Sequence, residues 1–529
     1  MARTPPWAAT AVLATLWLVI GPATPDLAAQ VHRVDVFHAR GFAVWDGAWY
    51  AGHHLPDYSV TFPALGALVG VRPAGALGAV ASAALFGALA GRARPAARWW
   101  FAAACLADLV VGRLTYALGV TVGLAAVLAL VRGRPVLACA LAAACSATSP
   151  VAGSFLALVG VALAAEGDRP WPPRPAPLAV AATALGTAGA LTTAFPEGGD
   201  QPFPTGAFAV ALAVTLAAAA VGCGWIRRSI LLYAAAIIAC KVVATPMGSN
   251  VMRLGTAFLA PALLLAAGPA RGARRAALAV TLVAAATWQW VDPLTQAARA
   301  WGDPSAARAY ASPLLARLRA DPPRGRVEIP FTRGHWETVS VAAAVPLARG
   351  WERQLDRRRD RLFYASRLDP AAYRRWLAAN AVAEVALPDA PMDPAGRTEA
   401  ALVARHPAFL RPVWHDAHWQ LFDVRGAAPV ASGGARARLE PDGVAVTTAR
   451  VEHVRLRVRW TPYWRLVGAL SCVAPSHGWT VLDAGRPGRY VLTARFSLAG
   501  LMRRGPVCAG RQTGAPARTA GLDHGHATR

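Results

Sequence analysis

The chain has 529 residues, of which 55% are hydrophobic and only 16% charged, and it carries a formal net charge of +25. That length exceeds the needs of one ordinary domain. The basic residues are nearly all arginine, Lys241 being the one lysine, and alanine is abundant, a pattern that codon bias in a GC-rich genome accounts for in part. With no zinc-finger or RNP-type motif beside it, the charge does not mark a nucleic-acid binder. The absence of a Walker loop, a Rossmann glycine fingerprint and a G-x-S-x-G elbow argues against an ATPase, a dehydrogenase and an ordinary hydrolase.

The charges are unevenly placed. Residues 1–291 hold 19 basic and 9 acidic side chains, whereas the shorter stretch 292–529 holds 35 and 20. An apolar half therefore gives way to a polar half near Asp292. A spanning helix needs about 20 mainly apolar residues. Candidate spans lie at 7–21, 74–91, 99–111, 114–131, 135–148, 150–165, 177–194, 206–224, 229–245, 254–269 and 276–291. The first is preceded by Arg3 and followed by Leu27-Ala28-Ala29, so it also reads as a secretory signal peptide with a small-residue cleavage site. Phe62–Val71 is too short to cross and reads as a half-helix at the surface before Pro73.

Arginine placement sets the orientation. With the N-terminus inside, inner positions carry 13 arginines: Arg3, Arg92, Arg94, Arg98, Arg132, Arg134, Arg169, Arg174, Arg227, Arg228, Arg271, Arg274 and Arg275. Outer positions carry five: Arg33, Arg40, Arg72, Arg113 and Arg253. Eleven spans from an inside start place residues 292–529 outside the cell membrane. Five cysteines (Cys105, Cys139, Cys145, Cys223, Cys240) fall in apolar spans, and only Cys472 and Cys508 in the outer half, where one disulfide is permitted.

The first outer loop, 22–73, carries the chemistry-bearing residues. It reads Asp35-x-x-His38-x-Arg40, then Trp45-Asp46-Gly47 through Trp49-Tyr50-Ala51-Gly52-His53-His54, then Pro56-Asp57-Tyr58 and Phe62-Pro63. Carboxylates accept protons from hydroxyls, and histidine and arginine hold phosphate oxygens. Trp and Tyr suit sugar faces and equally the membrane interface, where they often carry no chemistry.

The pattern Asp35-x-x-His38-x-Arg40, with Gly52-x-x-x-Pro56-x-Tyr58 and Phe62-Pro63, resembles the first loop of bacterial GT-C-type membrane proteins. These include glycosyltransferases that use lipid-linked sugars and their YfhO-like relatives. The resemblance implies a multi-spanning core, an acidic first-loop residue as base and a C-terminal outer domain. Asp35 stands without the acidic neighbour many such enzymes carry, so no cofactor is expected and a divalent metal lacks support.

Lys241 and Arg253 flank Pro246-Met247-Gly248-Ser249-Asn250 near the outer membrane face and could bind a lipid phosphate; snorkelling is the plainer role. Asp108 lies within a span, where charge usually faces a bundle interior or water.

The outer half divides again. Residues 292–430 mix strand and helix signals: strand 326–330, helix 371–380, strand 382–387 and strand 414–424, an α/β unit. It also carries His335-Trp336-Glu337 and the run Arg349–Gln354, a Glu, His and Trp group of the kind that lines a sugar site, though such residues are more often structural. Residues 431–502 read as short strands at 444–448, 454–460, 479–482 and 490–496, a sandwich-like signature. Trp460-x-x-Tyr463-Trp464 stands at a strand end and resembles the C-terminal part of the YfhO-like relatives. The Gly-, Pro- and Arg-rich stretch 503–529 reads as a disordered tail.

The expectation is thus an α-helical polytopic membrane protein, GT-C-like, with about 11 transmembrane helices and an extracytoplasmic α/β plus β-sandwich-like domain. The function expected is transfer of a sugar from a polyprenyl-phosphate donor to a glycan or lipid acceptor in cell-envelope biogenesis. Asp35 and Asp46 would be catalytic, with His38, Arg40, His53, His54, Asp57, Lys241 and Arg253 binding substrate. The partners are the lipid bilayer, donor and acceptor, with no nucleic acid. A transporter or flippase and a non-catalytic envelope assembly factor are the rivals.

Overall fold

The computed structural model describes residues 5–165, 174–266, 271–468, 470–503 and 505–509. Arg3, Arg169 and most of the expected tail lie outside them.

Each of the eleven candidate spans is occupied by a helix among the described residues. Proline supplies the first turn of many, including Pro6–Ile20, Pro25–Arg40, Pro95–Val111, Pro135–Thr148, Pro150–Ala164 and Pro175–Ala194. Its missing N–H costs nothing there and its fixed φ starts the turn. By length and composition four helices suffice to cross a membrane: Val71–Ala90, Leu114–Val131, Pro175–Ala194 and Gly248–Ala266. Pro6–Ile20, Pro135–Thr148, Pro150–Ala164 and Thr205–Val221 are apolar but shorter. A 15-residue helix is about 22 Å long against a hydrocarbon core of about 30 Å, so length alone does not establish eleven crossings. Gly272–Ala300 is the longest helix, and it runs unbroken through Asp292, where the composition changes. Phe62–Val69 forms the expected short helix.

The first outer loop is not irregular. Pro25–Arg40 is a helix, and Leu27, Ala28 and Ala29, the small-residue stretch read as a cleavage site, are buried within it. A two-stranded hairpin follows, Trp45 opposite His54 and Asp46 opposite His53. At its turn Gly52 takes φ +116°, and a Cβ there would stand 1.9 Å from the Trp45 ring.

Four of the loops grouped as outer by arginine placement, 22–73, 112–113, 195–205 and 246–253, meet the C-terminal half. The Trp49 indole donates to the Thr338 carbonyl (2.9 Å), His54 bonds the Thr461 hydroxyl (3.0 Å) and Arg357 donates to Asp200 (3.1 Å). Gln354 reaches the Pro246 carbonyl at 3.5 Å, and Arg113 reaches Asp292 at 3.3 Å. Arginine-rich 271–275 instead meets the end of an apolar helix, Arg274 donating to the carbonyl of Val221, the last residue of Thr205–Val221, at 3.4 Å.

The C-terminal half has two units. In the first, a four-stranded sheet runs in the order Arg326–Glu328, Val382–Pro388, Trp419–Val424, Leu410–His415, its first pair parallel and the others antiparallel. The expected single strand 414–424 is a hairpin. Asp416 Oδ1 accepts the backbone N–H of His418 (2.9 Å) and Trp419 (2.7 Å), and that turn reverses the chain. The second unit is a pair of four-stranded antiparallel sheets. One joins Trp464–Val467, Gly488–Ala494, Gly443–Thr448 and Arg436–Glu440; the other joins Val507–Ala509, Ser471–Ser476, Trp479–Ala484 and Glu452–Arg459. Alternate residues Val444, Val446, Val454, Leu456 and Val458 point into their shared core. Trp464 opens a strand and is buried with Tyr463.

Cys472 and Cys508 face each other across two of these strands and form the disulfide. It closes a loop of sequence separation 36. A cross-link of that span stabilises by about 2–4 kcal/mol, mainly by restricting the unfolded chain. Reduction should therefore lower the apparent melting temperature of the purified protein. Thiol labelling of the unreduced, unfolded chain should miss both positions; labelling at both would exclude the bond.

Candidate functional site

The helix Pro25–Arg40 turns one polar face inward. Asp26, Gln30 and Arg33 recur at the spacing of one helix side. Gln30 is buried and fully used. Its amide donates to the Asp26 carbonyl (2.7 Å) and the Gly112 carbonyl, and its oxygen accepts from Thr115 N–H (2.8 Å) and Oγ1 (3.0 Å). Gly112 takes φ +86°, and a Cβ there would lie 2.3 Å from Thr24 Oγ1. That close turn brings Arg113 beside the helix start, 3.4 Å from Asp26 Oδ2. Two turns on, Arg33 pairs with Glu352 of the C-terminal half (2.5 Å) and lies over the Tyr58 ring at 4.1 Å.

Asp26 opens onto a cavity of about 1250 Å³ between the apolar helices and the C-terminal half. Its lower limb runs among apolar helices and is lined by Ala104, Ala107, Ala207, Val210, Val214 and Ala257. Its middle is polar, with Asp26, Asp108, Arg113, Tyr116, Arg253 and Asp292. Its outer wall comes from the C-terminal half, chiefly His335, Trp351, Glu352, Arg353 and Asp393. That wall is locked. Arg353 makes two bonds to Asp393 (3.1 and 2.8 Å), and His335 stacks on Trp351 with centroids 3.4 Å apart. Asp393 also caps the helix Pro394–Val403. Burial opposes its ionisation, but His335 and Arg353 hold it well below the usual carboxylate range.

Like Arg299, Arg333 and Arg397 in the same lining, Arg253 is unpaired among the described residues. Its guanidinium lies 5.5 Å from the Tyr116 ring centroid. Asp26 and Asp108 act on it only at longer range, and a cation facing a cavity without a direct ion pair is available to a ligand anion.

The expected site residues separate. Arg253 lines the cavity. Asp35 and His38 are exposed on the helix. Nine residues, about two and a half helical turns, put Asp35 on the face opposite Asp26, away from the cavity. Asp46 is buried between His32 (2.9 Å) and Arg40 (2.5 Å). Burial opposes its charge, but His32 and Arg40 hold its carboxyl far down, as in a structural ion pair. His53 is buried against Trp49, and burial pushes its imidazole down to about 3. His54 contacts Glu197 (2.9 Å) and Thr461. Burial, with Glu352 and Glu197 nearby, raises the Asp57 carboxyl well above its ordinary range. Lys241 donates to the Phe203 carbonyl (2.8 Å) and Thr205 Oγ1 (3.2 Å), not to the cavity.

Sequence reasoning missed Asp26, Arg113 and Asp393, whereas His335, Glu352 and Arg353 fall in the two motifs read as able to line a sugar site. Asp26, Gln30 and Arg33 at i, i+4 and i+7 were the available signal, obscured by the small residues between them. Among the described residues, no group of three or more His, Cys, Asp or Glu is arranged to hold a metal ion.

No family model matches the chain, and no curated protein matches it. Two electron cryomicroscopy structures of the arabinofuranosyltransferase AftD from mycobacteria, two classes of one mutant, are similar at 13% and 14% identity, with TM-scores of 0.43 and 0.39. Each alignment covers 93% of this chain and 60% of theirs, so the chain spans about 60% of the length of those proteins.

Glu337, just below the wall, is buried, and its carboxylate accepts from the Thr332 hydroxyl. Burial raises its carboxyl from 4.5 to about 8, against the Thr332 bonds. The unfolded chain gives up that proton from about pH 4.5 upward, whereas the folded chain keeps it to about pH 8. Native stability therefore falls across that window and levels off above it. Glu337→Gln should gain stability relative to the parent between pH 5 and pH 8, with no further gain above. Parallel melting-temperature profiles for the two proteins would refute the assignment.

Proposed function

We propose that the chain is a GT-C-like glycosyltransferase of cell-envelope biogenesis, moving a sugar from a polyprenyl-phosphate donor to an extracytoplasmic glycan or lipid acceptor. The observation that carries this reading is the cavity's polarity. One continuous space runs from an alanine-lined limb among apolar helices, through a band of carboxylates and arginines, to a polar wall on the C-terminal half. An amphiphilic substrate matches that order: an isoprenoid chain in the limb, a phosphate in the band and a sugar at the wall.

The roles follow from position. The acceptor hydroxyl oxygen attacks the anomeric carbon, and its proton passes to Asp26. Asp26 comes from the first loop and keeps a third of its side chain accessible (33%). The bond between the anomeric carbon and the phosphate oxygen breaks, and the phosphate leaves with the electron pair. Arg253, which makes no direct ion pair among the described residues, and Arg113 stabilise that charge. In this reading Asp26 takes the role that the sequence pattern assigns to Asp35. Asp46, His53 and His54 hold the loop rather than the substrate.

Asp26→Asn should leave membrane insertion and abundance unchanged and lower transfer by about 10²–10⁴-fold, the usual contribution of a positioned base. Asp35→Asn should stay close to the parent. Arg253→Gln should raise KM for the lipid-phosphate donor more than it lowers kcat. The assay is the lipid-linked glycan product formed in proteoliposomes from a radiolabelled polyprenyl-phosphate sugar. Full activity in Asp26→Asn would remove the base assignment.

The same reading puts the C-terminal half outside the cell membrane, with the N-terminus cytoplasmic, as arginine placement favours. A periplasm-dependent reporter fused after residue 300 should be active and a cytoplasmic one silent. The reverse result would overturn the orientation.

A further inference from the structure

The β-sandwich rests directly on the end of an apolar helix. Leu191 and Ala194, from the last turn of Pro175–Ala194, pack against the sandwich core. Tyr463 donates its hydroxyl to the Ala194 carbonyl at 2.9 Å, and its ring lies 5.5 Å from Phe195. Of the four helices long enough to cross a membrane, Pro175–Ala194 is the least buried by protein, and in the membrane-spanning reading its uncovered surface faces lipid. The residues around Tyr463 therefore sit at the membrane boundary beside a lipid-facing helix.

At that level the sandwich exposes apolar side chains. Phe496 packs on Tyr463 with centroids 5.9 Å apart, yet is 43% exposed. Phe42, from the first loop, meets Phe496 edge-on at 6.4 Å and is 51% exposed. The short helix Leu498–Met502 turns Gly500 inward, where a Cβ would stand 2.6 Å from the Tyr463 ring. Leu498 and Met502, one turn apart, then project outward, 74% and 81% exposed. Arg503 is held at the same place by the Pro462 carbonyl (2.6 Å).

We propose that Phe42, Phe496, Leu498 and Met502 form a lipid-contacting foot that seats the sandwich in the headgroup region of the bilayer. A contiguous apolar patch is costly in water and marks an interaction surface. Its continuity with a lipid-facing helix end identifies the occupant as the membrane. Aromatic rings with an adjacent arginine are the side chains that such an interface favours, the rings at headgroup depth and the cation at phosphate. The foot would hold the sandwich, and through Trp45 the first-loop hairpin, at a fixed height over the bilayer. This rests on the membrane-spanning reading and not on the proposed chemistry.

The test is site-directed spin labelling of the full-length protein in lipid nanodiscs. Met502→Cys and Leu498→Cys are made one at a time, in a background whose five non-disulfide cysteines are replaced by serine or alanine. Both positions are exposed, so the label should not disturb the fold. The expected result is that molecular oxygen relaxes each label more effectively than an aqueous nickel chelate does, as for groups inserted in lipid. Higher nickel than oxygen accessibility would show the patch facing water and overturn the proposal. A label shielded from both reagents would show that protein covers the patch, a second copy or another segment of this chain, and would overturn it equally.

Discussion

The architecture depends on the burial of three aromatic residues from one short loop. Trp45, Trp49 and Tyr50 lie within a six-residue stretch, and all three are almost fully buried. They go to different places. Trp45 enters the core of the sandwich, meeting Trp464 at 5.0 Å, whereas Trp49 and Tyr50 enter the core of the mixed α/β unit. Aromatic side chains of this size bury roughly 150–250 Å² each. The hairpin thereby joins both C-terminal units to the helices that precede and follow it. The chain is bent sharply to achieve this. Tyr50 and Ala51 both adopt left-handed backbone, with φ of 57° and 60°. That conformation is unfavourable outside glycine and persists where the surrounding contacts fix it.

Charge completes the joint. Arg33 meets Glu352, Arg359 meets Glu197, and Arg357 meets Asp200, so each pair links the helical half to the C-terminal half. Buried pairs recover their desolvation cost only with good geometry and further hydrogen bonds. Arg359 has these, donating also to the Tyr50 and Gly52 carbonyls at 3.2 and 2.7 Å. These contacts consume much of the first loop's polar chemistry. Asp46 is paired with His32 and Arg40 within the loop itself, His53 is buried against Trp49, and His54 reaches across to Thr461 of the C-terminal half.

The cavity is the space left above the apolar helices once that joint is made. The inward side of Pro25–Arg40 forms part of its floor, and the segment Trp351–Gln354, held through Glu352 and Arg33, forms part of its roof. The site and the scaffold are therefore one arrangement. Arg33 separates them along a single helix, with Asp26 and Ala29 reaching the cavity and Arg33 reaching the roof. His335 belongs to the roof and takes φ 56°, stacked on Trp351. A buried left-handed histidine in a cavity wall shows that the wall's shape is enforced rather than relaxed.

Much of the helical half could be read directly from the sequence. Apolar runs bounded by Pro and Gly give helices at every expected segment, because backbone groups in an apolar setting must bond internally. Four of the loops that arginine placement grouped as outer meet the C-terminal half. Alternation gave several sandwich strands, and the two cysteines of the polar half allowed a bond that the structure then forms. The strand at 414–424 was misread because its apolar residues continue across the Asp416 turn, which is set by one carboxylate rather than by hydrophobic pattern. What the sequence could not supply was proximity between distant residues. Asp26, Arg113, Arg253 and Glu352 come from four separated segments, and no local spacing encodes their meeting. Sequence determined which side chains were available and which segments would fold as helices or strands. Only the tertiary structure decided that Asp26, rather than Asp35, faces the cavity, because one helix presents its residues to opposite sides and packing alone chooses the buried face.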